Sequence, residues 1–312
     1  MFKKVPRAGV LRRRDRGEGT GLSGGARSRR PVRMAVLVVL SLAVQACSSV
    51  ISSQTSKLAT NLSSAIYNNN DIESVGQAIP TFLVLIDGMI EGSPDNPDLL
   101  STGAQLNDAY GGLFVDDAQR SSRFSDKALA YAWQSMCAHR ESFCDWPTLD
   151  HEAFALAVAD LREDDLPYAY ALSVSWLNWI RSHSDDWNAI AQLDRPEQIL
   201  QRVVALDDTY ADGMAHLYLG GLATLLPPAL GGKPEQGKAH FERAIEISEG
   251  RNMMAKVVFA EQYARLVFDE PLHHRLLTEV LAADPNIEGY VLLNTVAQQQ
   301  AATLLAEEAE FF

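Results

Sequence analysis

Several groups of residues in this 312-residue chain have types and spacings that invite a chemical reading. Gly231-Gly232-Lys233 opens onto a helical pattern, as a phosphate-binding loop does. Such a loop needs GxxxxGK followed by Ser or Thr, so that backbone N–H groups wrap the phosphate and the hydroxyl holds Mg²⁺. Here Lys233 is followed by Pro234, and no strand pattern precedes it. Proline suits the first position of a helix. Gly237, Phe241, Ala244, Ile245 and Ser248 then fall at i, i+4, i+7, i+8 and i+11, on one packing face. LPPALGG therefore reads as a stiff turn between two helices.

The seven histidines form no HExxH or His-x₃₋₅-His arrangement, so no metal site is expected. The Asp pairs 116/117, 164/165, 185/186 and 207/208 suggest paired carboxylates. Neighbours in sequence point in different directions on a helix, so these pairs read as helix starts and turns. There is no GxSxG elbow, and no cysteine has a histidine partner at a motif spacing. The expectation is a protein that is not an enzyme and needs no cofactor.

The three cysteines divide into one and two. Cys47 ends AVQAC, behind a positive segment (Arg27, Arg29, Arg30, Arg33) and the apolar run 35–44. That run is about half of the ~20 residues a bilayer span requires, so it reads as an export signal. The arrangement resembles the lipobox of bacterial lipoproteins, in which Cys47 is lipidated and becomes the first mature residue. Gln45 stands where a small residue is usual, and the alternative is an ordinary signal peptide cut after Ala46. Cys137 and Cys144 remain as an even pair in an oxidising location. On one continuous helix they would lie about 10 Å apart, too far for a disulfide. A bridge requires the helix to break near His139 to Glu141; without it both are small apolar residues.

Charge separates the same segments. Residues 1–46 carry eleven Lys and Arg against Asp15 and Glu18, a net of +9, which leaves −22 on the remainder. An acidic body has no basic face to neutralise phosphates, which excludes nucleic acid as a partner. The expected organisation is a basic extension with its signal (1–46), a Ser- and Asn-rich tether (47–70) and a helical domain (71–312). The tether carries Leu58, Leu62 and Ile66 at helical spacing.

Beyond the tether nearly every segment has helical period and none alternates as strands do. Weak internal repeats appear. Ile199–Gly220 holds a helix end, an Asp-Asp break and a helix start; Leu276–Gly289 repeats the ending through Asp284-Pro285, and Phe82–Leu100 does so through SPDNPD. Small residues let paired helices approach while large ones fill the space between units. The fold class expected is all-α, a tetratricopeptide-like array of antiparallel helix pairs at irregular spacing.

Such arrays present a concave surface, and two stretches supply residues for it. Tyr170–Leu193 holds Trp176, Trp179, Trp187 and Asn188; the first two share a helix face with Ser173 and Ile180 and also fit a core. In Arg251–Leu277, Met254, Val257, Val258, Glu261 and Arg265 mark one helix side, so Lys256, Glu261 and Arg265 are either buried in pairs or face a groove. His216, Tyr218, Lys256 and Tyr263 complete the candidate groove.

Three blocks carry a family resemblance: AHLYLGGLATLLPPALGGKPEQGKAHFERAIEIS, RNMMAKVVFAEQYARLVFDEPLHHRLLTEVLAADP and SHSDDWNAIAQL. The chain resembles the T-component (TatT) family of TRAP transporters, the tripartite ATP-independent periplasmic systems, from about Ile79 to Leu305. The resemblance implies an all-α periplasmic lipoprotein without catalytic residues. It also implies a partner, the extracytoplasmic solute-binding component, and a role with small or hydrophobic ligands. A general envelope-assembly scaffold and a direct small-ligand-binding protein are the rival readings. The membrane is reached through the lipid anchor alone, and Ser48-Ser49 leans toward the outer one. Unpaired ends of the array would favour a homo-oligomer.

Overall fold

A computed structural model describes residues 61–312. The basic extension, Cys47 and most of the tether lie outside the described residues. Residues 61–67 are already helical (α1), and Ile66 is buried in the core, so the folded body begins before residue 71. The Ser/Asn composition hides this, because one isoleucine anchors the segment.

Every regular element among the described residues is a helix. The chain runs through α2 (Ile72–Gly92), α3 (Pro97–Leu113), α4 (Ala118–His139), α5 (His151–Ala159), α6 (Leu166–Ser182) and α7 (Trp187–Ile190). It continues through α8 (Asp194–Leu206), α9 (Met214–Ala223), α10 (Pro234–Ile247), α11 (Met253–Val258), α12 (Glu270–Ala282), α13 (Val291–Ala306) and α14 (Glu308–Phe311). α11 passes directly into a π-helical turn, Phe259–Ala264.

Helix starts follow from side-chain caps. Asn96 accepts from the N–H groups of Asp98 and Leu99, with Pro97 as first helical residue. Asp117, Asp150, Asp186 and Asp269 each accept one backbone N–H in the same way. Two of the four Asp pairs therefore act as helix starts, at Asp117 and Asp186. Asp165 and Asp208 do something else, described below.

Short connections lay consecutive helices antiparallel. α2 packs on α3, α3 on α4, α4 on α6, α6 on α8, α8 on α9, α9 on α10, and α12 on α13. The largest core cluster joins Trp146, Phe154, Trp176, Leu172 and Ile199 and is rich in edge-to-face rings. A second gathers Phe241, Met253, Phe259, Leu277 and Val280. The α9–α10 crossing is close because of two glycines. A Cβ on Gly220 would stand 2.7 Å from the Phe241 ring, and one on Gly237 2.5 Å from Thr224 Cγ2. The intervening LPPALGG forms a compact turn, with Gly231 at φ +94° and the Lys233 N–H donated to Ala223 O. Lys233 is thus in a turn that leads out of one helix and into the next.

The ends of the array meet. Asn68 Oδ1 accepts the Gly289 N–H at 2.6 Å, and Leu292 of α13 shares a core cluster with Ile66, Val75 and Ile79. The curvature of the helix pairs therefore brings first and last helices together.

Candidate functional site

A second face of α6 carries half-buried Tyr170, Val174 and Asn178 and exposed Arg181, at i, i+4, i+8 and i+11. The core-directed face holds Ala169, Leu172, Trp176 and Ile180 instead. The Tyr170 ring lies 5.6 Å from that of Tyr210 and 6.4 Å from that of Tyr218. Three tyrosines from α6, the turn before α9, and α9 thus converge, and burial holds the phenols of Tyr67, Tyr170, Tyr210, Tyr218 and Tyr290 above their ordinary pKa.

Beside them Asp108 projects from α3. Its Oδ2 accepts the Ser175 hydroxyl at 2.5 Å, while Oδ1 is buried without a partner. Burial pushes this carboxyl up to about 7, against the smaller opposing effects of Ser175, Asn178 and the Arg181 cation. Arg181 makes no hydrogen bond or ion pair among the described residues. Its Nη2 is 3.2 Å from where a Cβ of Gly112 would sit, so glycine makes room for the guanidinium. Asn107, Asp108, Gly112, Ser125, Asn178 and Arg181 line a small polar cleft between α3, α4 and α6, with room for about one water. The arrangement sets a carboxyl that titrates near neutrality beside a guanidinium with unused donors. It suits exchange of a proton and recognition of an anionic group.

A second polar assembly joins α9 to α10. His216 is buried; its Nε2 is 2.8 Å from Asp208 Oδ1 and its Nδ1 is 2.8 Å from His240 Nδ1. Arg243 holds the other carboxylate oxygen of Asp208 through Nε at 2.9 Å and also through Nη2. The Arg243 bonds and the His216 contact keep Asp208 below the usual carboxylate range, while burial lowers His240.

The residues expected to line one groove are not brought together. Trp176 is a core residue, 3 % exposed, with its indole N–H on Gln192 Oε1 and its ring against Trp133 and Phe154. Trp179 is half-buried, donates to Asp126 Oδ1 and stacks on His183. Trp187 is 81 % exposed at the start of α7, where Asn188 donates twice to the capping Asp186. Lys256 pairs with Glu279 at 2.8 Å, and buried Tyr263 packs on Phe259 with its hydroxyl toward Glu235. Arg265 pairs with Glu307. Of the eight groove candidates, only Tyr218 reaches the tyrosine cluster and only His216 the second assembly. Trp176 falls on the core face of α6 and Trp187 opens a separate short helix, so neither shares the face of Tyr170. Asp108, Tyr170 and Arg181 went unread. The Tyr170-Val174-Asn178-Arg181 stripe was the available signal.

Cys137 and Cys144 are joined by a disulfide with Cα atoms 4.4 Å apart. α4 ends at His139, and the 3-10 turn Glu141–Phe143 folds the chain back. That turn delivers His139 and Arg140 to Asp165, which is 3 % exposed and also accepts the Arg162 N–H.

Paired helices whose first and last members meet define an all-α protein. A search of curated proteins gives no match. The chain belongs to the TRAP transporter T-component family, whose model matches residues 68–312. Membership supports an accessory role in a TRAP transporter.

Proposed function

We propose that the mature chain is a periplasmic lipoprotein, anchored through Cys47, that binds the solute-binding component of a TRAP transporter and does not itself catalyse a reaction. The observation that carries the reading is the family match across the whole helical body. The lipobox-like AVQAC behind a basic segment supports the anchor, and the acidic body fits a protein partner better than a nucleic acid. The test is affinity capture from the native cell envelope followed by mass spectrometry. Enrichment of one solute-binding protein is expected; capture of outer-membrane assembly factors in its place would move the function to a general envelope scaffold. Cys47→Ala should release the chain from the membrane fraction.

A second reading, a direct role with a small anionic ligand, rests on Arg181 standing unbonded beside the tyrosine cluster. Arg181→Gln should weaken such a ligand's binding without altering capture of the solute-binding protein.

A further inference from the structure

Phe268 stands where a helix end of its kind ordinarily carries glycine. The turn after the π-helical segment closes with the Asp269 N–H on Ala264 O at 2.9 Å and the Phe268 N–H on Arg265 O at 3.3 Å, the two bonds of a Schellman end. That closure puts Phe268 at φ +56°, a left-handed backbone that a bulky side chain seldom adopts. Burial of the ring would compensate for the strain, yet Phe268 is 73 % exposed. A strained backbone here holds an aromatic residue out in solvent, where core packing does not ask for it. Its neighbours extend the patch. The Phe311 ring lies 6.0 Å from that of Phe268, and Val267 and Phe311 are themselves exposed. The Arg265 guanidinium is 4.7 Å from the centre of the Phe311 ring and pairs with Glu307 at 3.3 Å. Glu308 ties α14 to α12, its two carboxylate oxygens each 2.8 Å from a histidine Nδ1, one of His273 and one of His274. Two segments distant in sequence are thus locked into one apolar surface.

The margin of that surface is acidic. Glu310 adjoins Phe311, Glu270 follows Phe268 by two residues, and Glu261 lies one turn before Arg265. All three are exposed and make no ion pair among the described residues, while the nearby cation of Arg265 is taken up by Glu307. Resting on the reading of this chain as a protein-binding accessory, we infer that Val267, Phe268 and Phe311 form a docking surface for a protein partner that offers an apolar hollow ringed by lysine or arginine. Interfaces concentrate their binding energy on such central aromatic anchors, and the acidic margin selects the charge of what surrounds the hollow. The same margin repels anionic lipid headgroups, which sets a bilayer aside as the occupant. A ring held by a closed helix end, on a surface locked by Glu308, has little freedom left to lose on docking.

The test is p-benzoylphenylalanine placed at position 268 of the full chain in its native cell envelope, with irradiation and mass spectrometry of the adduct. Position 230 takes the same probe for comparison, because Leu230 is 68 % exposed on the separate LPPALGG turn. Position 268 is expected to give one protein adduct whose cross-linked peptide carries apolar residues flanked by Lys or Arg, and position 230 none. Phe268→Gly relieves the backbone and removes the ring. It should melt at or above the temperature of the parent while binding the purified cross-linked protein roughly tenfold more weakly or worse. Added salt should weaken the parent's binding. The inference is overturned by the absence of a protein adduct at position 268, by an adduct to lipid or to an acidic peptide, or by equal labelling from position 230. It is also overturned if Phe268→Gly binds like the parent or melts well below it. An adduct from position 268 to a protein other than a solute-binding component, at a peptide of the expected kind, upholds this surface and overturns the transporter reading.

Discussion

Asp108 and Asp208 are both carboxylates within reach of an arginine, and the two regions treat the negative charge in opposite ways. Asp208 sits in an open turn, gripped by Arg243 and His216, and its pKa is lowered. Asp108 is 9 % exposed, its Oδ1 has no partner, and Arg181 nearby makes no bond to it; its carboxyl rises to about 7. An arginine in the vicinity does not decide whether a carboxylate is comfortable. Burial does, set against the hydrogen bonds that replace lost water. Asp165 is more buried than Asp108 and is bonded by His139, Arg140 and the Arg162 N–H.

The largest test of this contrast is pH. Between about 4 and 7 folded Asp108 holds a proton that the unfolded chain has lost, so its contribution weakens the fold progressively as pH rises and is level above 7. Asp208 has the opposite sign, stabilising at neutral pH and losing that contribution only as pH falls through its lowered value. Asp108→Asn keeps the acceptor for Ser175 and removes the charge. Urea unfolding at pH 8 should show it more stable than the parent by about 2 to 4 kcal/mol, with little difference at pH 4. Equal stability at pH 8 would mean that Asp108 is paired and that the contrast is false.

Asp165 depends on a turn, and the disulfide holds that turn. Replacing Cys137 and Cys144 with Ser removes a short loop closure worth about 2 to 3 kcal/mol. The same loss should follow reduction of the parent with a thiol. A smaller loss, under about 0.5 kcal/mol, would show that the Asp165 bonds alone set the end of α4.

The Asp208 side of the comparison rests on how closely α9 and α10 approach. Gly220→Ala drives a Cβ into the fully buried Phe241 ring. Overpacking of this kind costs about 1 to 3 kcal/mol, partly offset by the better helix propensity of Ala. Thermal unfolding should register the loss, and the His216–His240 contact should open with it. An unchanged melting temperature would show that the ring yields and that the crossing is looser than its distances suggest.

These contrasts also show what a sequence reader can reach. The all-α class, the turn at GGK and the caps at Asp117 and Asp186 were legible, because helical period, Pro at a helix start and Asp before an apolar run are local signals. The DD of 164/165 and 207/208 looks the same on paper, yet Asp165 and Asp208 bond to side chains 25 or more residues away, Arg140 and Arg243. Asp108 reads as one polar residue in a helix with small neighbours, and only the arrival of α6 makes it buried. Trp176 and Tyr170 lie on the same helix; which of them enters the core depends on where α3, α4 and α8 pack around it. Tertiary partners, not local pattern, assign those roles.

The smallest effect expected is at Arg243. Its guanidinium is 37 % exposed and the partner carboxylate of Asp208 41 %, and surface pairs of this sort contribute little to stability. Arg243→Ala should therefore change stability only slightly in moderate salt, and the difference should shrink as salt is raised. Its more telling consequence lies in the joint. Asp208 retains only His216, so the carboxylate loses part of what lowers its pKa, and the stability it gives up as pH falls should be smaller than in the parent and fully lost at a higher pH. A stability loss as large as that of Gly220→Ala would mean that Arg243 anchors α10 to the preceding turn as firmly as the core does. The two arginines would then differ in kind: Arg181 free to meet something from outside, and Arg243 part of the frame.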